Sequence, residues 1–475
     1  MDQFTTKPQA GLREKRLRDR HARLMARAHA KPGSSFPEMM ETDAELQGLY
    51  GFCNGKHVSL DKVMHPHFVA TAEKARATPR PILVHDSSWF SFPGSTVRKG
   101  LGRVGSGKAH EGFLGHFTLG LSDALSRLPL GLLHLSTLSF TAPPRKRGVR
   151  PSAADAATLV KKSARWLAGM RASQALLGPG VKPLHVCDRE GDDYSLFAGA
   201  QAEDLAYIVR VRYERMVRLC PDVSEDEDLV EEELLPLRQA LSGLTFIVER
   251  EVTLSSRTAK QAKASSQPER KTRKARLGIR AGTVEVERPA SRSAKECPVA
   301  KLKLNVVQVV EQEPPEGEQA VEWLLVTSEP IGTKEEVEAV VETYRARWVI
   351  EEYFKALKTG CAYEKRELES LKALENALGL LAPVAVELLK LKHVAREEPE
   401  APATKVLKAE EVKVLRTLSK RVKLGENPTA QEVLLAVAGV GGHLKQNGAP
   451  GWMVIYRGFR SLNLAMAGWR AAQSM

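Results

Sequence analysis

An α/β fold is predicted for this chain, and three observations predict it. Short apolar runs at residues 81–85 and 183–187 are each followed by an acid, Asp86 and Asp188, as in buried strands with a carboxylate at their ends. Runs at 113–121 and 130–140 read as two more strands, residues 155–177 carry helical periodicity, and a further helix opens near Tyr194. The resulting order of strand, strand, strand, helix, strand, helix is an α/β arrangement that lets Asp86 and Asp188 stand on neighbouring strand ends. The third observation is a change of character from about 206 to 330, where β-rich pieces at 207–211, 245–254, 277–287, 302–310 and 322–327 alternate with polar loops. That stretch reads as a β subdomain inserted into the α/β core.

The totals agree with several folding units. The chain has 475 residues, 43% of them hydrophobic and 27% charged, which suits two or three globular domains. Its formal net charge of +13 points toward a polyanion such as nucleic acid. The five cysteines are scattered, with no CxxC pair and no His cluster at zinc spacing, so a reduced, cytoplasmic protein is expected. No apolar core follows the charged start, which argues against a secretory signal. The longest apolar segment, 377–391, is interrupted by Pro383, Glu387 and Lys390 and is too short to span a bilayer, so a buried helix is expected and no membrane partner.

In chain order, residues 12–30 form an Arg-rich helix with Leu12, Leu17, Leu24 and Met25 as sparse anchors, closed by Pro32 and Gly33. Such a helix is either a solvated arm or a DNA contact. Short helical patterns follow at 43–53 and 59–63, and a flexible loop is expected at 99–108 between the first two strands. In the β-rich middle, the acidic run 225–233 reads as solvated surface, and the basic loop 255–276 as either surface or a polyanion contact. Thr333 and Glu336 have capping-box spacing, so a long helix should begin there and run on through residues 344–358. A Pro- and acid-rich linker at 397–404 precedes amphipathic helices at 409–422 and 430–440, a turn at Gly441 and Gly442, and a last helix at 452–472.

Residues 344–358 concentrate the functional signal. On one α-helix, Tyr344, Arg347, Glu351, Lys355 and Lys358 fall within roughly an 80° arc, while Ile350, Tyr353, Phe354 and Leu357 line the adjoining sector and can pack on a core. The arrangement fits a salt-bridged surface helix, since the Arg347/Glu351 and Glu351/Lys355 spacings are ordinary for charge pairs. It equally fits one acid among groups that grip phosphates. Two strand-end aspartates and a helical glutamate are what two-metal phosphoryl transfer needs: hard oxygen ligands, few enough to leave positions for water and substrate.

With those residues in view, the chain resembles the insertion-sequence-four family of DDE transposases, the relatives of the transposon-five transposase. The family's third-acid helix has the spacing Tyr, two residues, Arg, three residues, Glu, six residues, Lys, matched here by Tyr344, Arg347, Glu351 and Lys358. Its second acid sits in a block similar to residues 188–192, and its first in an apolar strand followed by hydroxyl residues, as in Asp86, Ser87 and Ser88. Residues 322–330 are also like the family, with Trp323 corresponding to a tryptophan that stacks on a flipped base.

The resemblance implies an RNase H-like core of the retroviral integrase superfamily over 71–395 with the β insertion at about 206–330. It also implies a helical DNA-binding region over 1–70 and a helical dimerisation region over 396–475. Asp86, Asp188 and Glu351 would be the catalytic metal ligands for two Mg2+ ions, with Mn2+ able to substitute. Tyr344, Arg347, Lys355 and Lys358 would hold phosphates of double-stranded DNA, and Trp323 the flipped base. The implied activity is cut-and-paste transposition by a homodimer joining transposon ends to target DNA: end nicking, hairpin formation, hairpin opening and strand transfer. The alternatives are a catalytically silent DNA-binding regulator or inhibitor of a related transposase, and an RNase H-like nuclease without joining activity.

Overall fold

The computed structural model describes residues 11–94, 97–104, 110–140, 153–220, 233–259, 268–295 and 297–473. Its chain divides into two compact units, one formed by Met1–Val181 with Trp348–Met475 and the other by Lys182–Arg347. Both mix strands with flanking helices. In chain order the strands are β1 (Ile82–Phe92), β2 (Gly102–Val104), β3 (His110–Leu121), β4 (Pro129–Leu138), β5 (Leu184–Cys187) and β6 (Ala206–Arg210). After them come β7 (Met216–Cys220), β8 (Leu235–Pro236), β9 (Val248–Leu254), β10 (Arg273–Glu287), β11 (Lys301–Gln312) and β12 (Glu322–Thr327).

In the first unit β1 pairs antiparallel with β3 along its whole length, from Ile82 opposite Leu121 to Phe92 opposite Glu111. The other edge of β3 is shared, β4 taking its later part and β2 its start. β1 is longer than the sequence suggests, so Asp86 lies within the strand, opposite Phe117, and not at its end. The polar triplet Asp86, Ser87, Ser88 looks like a terminus, yet Phe90 and Phe92 beyond it are fully buried and carry the ladder on. Part of the expected loop at 99–108 is the short strand β2, and residues 105–109 fall outside the described residues.

The centre of this unit is the helix Leu371–Glu397, apolar on nearly every side and buried from Ala377 through Val386, as expected for the segment containing Pro383. Around it pack the N-terminal helices Lys15–Ala30, Asp43–Asn54 and Leu60–Arg76. Asn376 Nδ2 donates to the Cys53 carbonyl at 2.7 Å, and buried Arg366 donates to the carbonyls of Ser34 and Cys361. The helices Ala409–Leu418, Ala430–Val440 and Trp452–Gln473 bury Leu415, Val433, Val437, Ile455 and Leu462 together. Residues read as a linker belong to this packing: Ala403 is buried and its N–H donates to the Pro428 carbonyl at 2.9 Å.

In the second unit β5 and β6 are parallel, β6 pairs with β12, and β12, β11 and β10 follow antiparallel. The far edge of β10 is shared by β9 and β7, and β7 pairs with β8. Most of the acidic run at 225–233 and the middle of the basic loop at 255–276 lie outside the described residues. The end of that loop opens β10, where Arg273 grips Glu311 at 3.1 and 2.8 Å and Arg276 pairs with Glu249, charge pairs across the ladder.

The capping box forms as expected, Glu336 N–H donating to Thr333 Oγ1 at 3.2 Å and Thr333 N–H to the Glu336 carboxylate at 3.0 Å. The helix it opens, Lys334–Arg345, does not continue through residues 344–358. Ala346 and Arg347 form a tight turn with bonds back to Thr343 and Tyr344, a new helix runs from Trp348–Lys355, and Ala356–Gly360 is a wider π turn closed by Cys361 N–H on the Ala356 carbonyl. The expected single stripe is therefore broken twice. Tertiary packing decides this: Tyr344 and Arg347 are 2% and 8% exposed, turned inward by the break, whereas Lys355 faces solvent. The apolar sector behaves as expected, with Ile350, Tyr353 and Leu357 fully buried.

Candidate active site

Alternation along an antiparallel pair assigns each β1 side chain to a face of the first unit's sheet. Directly opposed residues share a face, so Asp86 points the same way as Phe117, and Ser88 and Phe90 do likewise with Gly115 and Phe113. Phe117 meets the rings of Tyr353 and Phe354 at 5.7 and 5.3 Å. The face that carries Asp86 is thus the face covered by the helix that carries Glu351. Asp86 Oδ1 accepts the Ser87 N–H at 2.7 Å.

The same helix is braced to β1 by Lys358, whose ammonium donates to the Trp89 carbonyl at 2.5 Å, pairs with Glu364 at 3.5 Å and sits 5.1 Å from the centre of the Phe90 ring. Glu364 in turn accepts the Ser91 N–H at 2.9 Å. Lys355 is exposed and pairs with Glu352 at 2.5 Å. Glu352 also accepts from Lys392 at 2.9 Å and from the Trp452 indole at 3.2 Å. Burial pushes the Glu352 carboxyl up, but hydrogen bonds and charge from Lys355 and Lys392 outweigh it and hold the group at about 2.

On the reverse face of the sheet, His85, Ser87, His116 and Thr118 lie under the helix Ala153–Leu177. Arg165 Nε donates to Ser87 Oγ at 2.9 Å, Ser87 Oγ is 2.9 Å from His116 Nδ1, and Thr118 Oγ1 is 3.0 Å from His85 Nδ1. Burial first, then the charges of Arg165 and His134, hold His116 well below the ordinary imidazole range, so it is neutral.

The second unit carries the other proposed residues. Asp188 follows β5 directly, at a strand end as expected, and its Oδ1 accepts the Glu190 N–H at 2.8 Å to cap a single 3-10 turn. Asp192 is a buried structural acid, accepting the N–H groups of Arg212 and Tyr213 at 2.7 and 3.0 Å and pairing with Arg215. Tyr344 meets Trp323 edge-on, ring centres 5.6 Å apart, and Arg210 lies 5.9 Å from the centre of the Trp323 ring. Burial raises the Tyr344 phenol, Arg347 and Arg210 oppose that, and the nearby Asp188 charge adds to it. Asp188, Tyr344, Arg347, Arg210 and Trp323 therefore form one polar and aromatic group within the unit.

Sequence reasoning missed Arg210, Glu352, Glu364, and the Arg165 and His116 partners of Ser87, a residue it named only as a hydroxyl following the first acid. Glu352 and Glu364 have near partners in Lys355 and Lys358, and the i,i+3 spacing of Glu352 and Lys355 could have been read. Their bonds to Lys392, Trp452 and Ser91, like the Arg165, Ser87 and His116 contacts, come from elements far off in the chain. As donors, Asp86, Asp188 and Glu351 are the all-oxygen set that suits a hard divalent cation. Among the described residues, no group of three His, Cys, Asp or Glu is drawn together closely enough to hold a metal ion. No helix of the described residues is long and apolar enough to cross a membrane.

A mixed α/β chain with a strong basic excess fits an enzyme that acts on nucleic acid. Residues 169–385 match the family described as Transposase DDE domain, and residues 6–58 match Transposase DNA-binding. The chain thus carries a DDE transposase domain and a transposase DNA-binding domain, which makes it a DNA-binding enzyme of transposition, and the DDE transposase family generally uses divalent metal ions. The DDE match takes in Asp188, Trp323, Tyr344 and Glu351 and begins after Asp86. The DNA-binding match takes in the Arg-rich helix Lys15–Ala30.

Proposed function

We propose that the chain catalyses cut-and-paste transposition of an insertion sequence on an RNase H-like core, in the manner of the insertion-sequence-four group. The steps are end nicking, hairpin formation and opening, and strand transfer, carried out by a homodimer in the cytoplasm. The reading assigns residues 1–70 to DNA binding, 71–395 to the core with its β insertion at about 206–330, and 396–475 to dimerisation. Asp86, Asp188 and Glu351 are the ligands of two Mg2+ ions, which when bound activate the attacking oxygen and stabilise the leaving one. Arg347, Lys355, Lys358 and Tyr344 hold phosphates beside the scissile one and Trp323 takes the flipped base, giving the backbone grip that fixes register before cleavage.

The observation that carries this reading is the β1 register, which turns Asp86 toward the face covered by the Glu351 helix. The test is Mg2+-dependent cleavage of a duplex ending in the element's own terminal repeats. Wild-type protein should nick it, and Glu351→Ala should lose at least about a hundredfold in rate, the scale on which losing one charge-stabilising group acts. Cleavage by Glu351→Ala at the wild-type rate would sink the assignment. Binding of end DNA without nicking, even in Mn2+, would make the chain a silent regulator instead.

A further inference from the structure

The sheet that presents Asp86 has a second polar network on its reverse face, outside the set of proposed ligands and phosphate contacts. Ser87 is its centre. Its Oγ accepts from Arg165 Nε at 2.9 Å and lies 2.9 Å from His116 Nδ1. His116 is neutral in this setting, so Nδ1 can accept the Ser87 hydroxyl proton while Arg165 fills a lone pair, and the hydroxyl is fixed from both sides. The partners are themselves held. Trp166 packs edge-on against His116 with ring centres 4.8 Å apart, and Arg165 lies 5.1 Å from the centre of the Trp166 ring. Gly169 lets the helix come this close, since a Cβ there would stand 3.1 Å from His116 Nε2.

Ser87 links the two faces. Its side chain is locked beneath the helix Ala153–Leu177, while its backbone N–H donates at 2.7 Å to Asp86 Oδ1 on the opposite side. We propose that Ser87, clamped by Arg165 and His116, is a positioning residue that fixes the Asp86 carboxylate for a divalent cation. This rests on the reading of Asp86 as a metal ligand. The clamp acts through the strand: it holds the peptide plane whose N–H donates to Asp86 Oδ1, and so limits how the carboxylate can turn. Outer partners of this kind typically set metal affinity by 10- to 100-fold.

The experiment is a Mn2+ titration of the full chain, read from the electron paramagnetic resonance signal of free Mn2+, with circular dichroism as the check on folding. Asp86→Asn should lose binding by at least about tenfold. Ser87→Ala should weaken it by about tenfold, and Ser87→Thr, which keeps the hydroxyl, should bind within about twofold of wild type. If Ser87→Ala does not fold, Ser87→Cys keeps the volume with a much poorer hydrogen-bonding group and should show the same weakening. Wild-type affinity in a folded Ser87→Ala or Ser87→Cys, with Asp86→Asn impaired, overturns the clamp and leaves the ligand reading intact. Wild-type affinity in Asp86→Asn overturns the ligand reading, and the clamp with it.

Discussion

At the scale of single residues, neighbouring charges on the Trp348–Lys355 helix differ in what they touch, and that separates their expected effects. Glu352 is engaged by Lys355, Lys392 and Trp452 and held at about 2 against an ordinary carboxylate value of 4.5. A carboxyl depressed on folding contributes stability that is fully present above the unfolded value and lost as pH falls through the folded one. Glu352→Gln should therefore cost about 2–3 kcal/mol at neutral pH, with the gap from wild type narrowing as pH falls from about 5 toward 2. Urea unfolding at stepped pH measures it, and a gap independent of pH would contradict the pairing. Lys355 and Lys358 give a second contrast. Lys355→Ala removes one partner of Glu352 from an exposed position and should cost about 1 kcal/mol or less, while weakening binding to end DNA and lowering the salt slope by about 1. Lys358→Ala should in addition lower stability by about 1–2 kcal/mol, because the Trp89 carbonyl, Glu364 and the Phe90 ring lose their shared cation.

At the scale of elements, the closest packing in the C-terminal part is between the helices Ala430–Val440 and Trp452–Gln473. A Cβ on Gly441 would collide with the Val454 carbonyl, and one on Gly458 with the Val437 carbonyl, so the two backbones touch where only hydrogen fits. Gly458→Ala should cost about 1–3 kcal/mol or more, by the overpacking it forces, visible as a lowered thermal midpoint; an unchanged midpoint would mean the helices separate freely. Elements also show what was legible. Strand and helix existence was readable from periodicity and caps: the Thr333 and Glu336 pair starts a helix where expected, and the β-rich pieces between 206 and 327 are all strands. Continuity was not readable. Residues 344–358 have uninterrupted helical periodicity, but burying Tyr344 and Arg347 breaks the helix at Ala346, and a π turn at Ala356–Gly360 shifts the phase again before Lys358. The end of β1 was misread for the converse reason, since three polar residues at Asp86, Ser87 and Ser88 sit inside a paired strand whose aromatic residues beyond them are buried. The Ser87, His116 and Arg165 contacts join β1, β3 and a helix, and no local pattern encodes such a meeting.

At the scale of the whole molecule, the basic excess and the family match at residues 6–58 bear on the same question of how the chain holds DNA. The N-terminal region is no loose arm. Asn463 donates to the His29 carbonyl at 3.1 Å, Arg460 pairs with Glu38 at 3.3 Å, and Gly33 lies against Gly360 and Tyr456. Its basic helix nevertheless leaves Arg16 and Arg23 exposed, as is Arg13 just ahead of it, and residues of this kind release counterions when they meet phosphates. If about six cations, these three among them, contact the backbone, the logarithm of affinity should fall with the logarithm of salt at a slope of about −5. Replacing Arg13, Arg16 and Arg23 together by Gln should make that slope shallower by about 2–3 and weaken binding to end and unrelated duplexes alike. Because none of the three is buried, the thermal midpoint should stay close to that of wild type, which separates lost contacts from lost structure. Fluorescence anisotropy of a labelled duplex across a salt series reads the slope. An unchanged slope in the triple variant would move the DNA contact to another face of the chain.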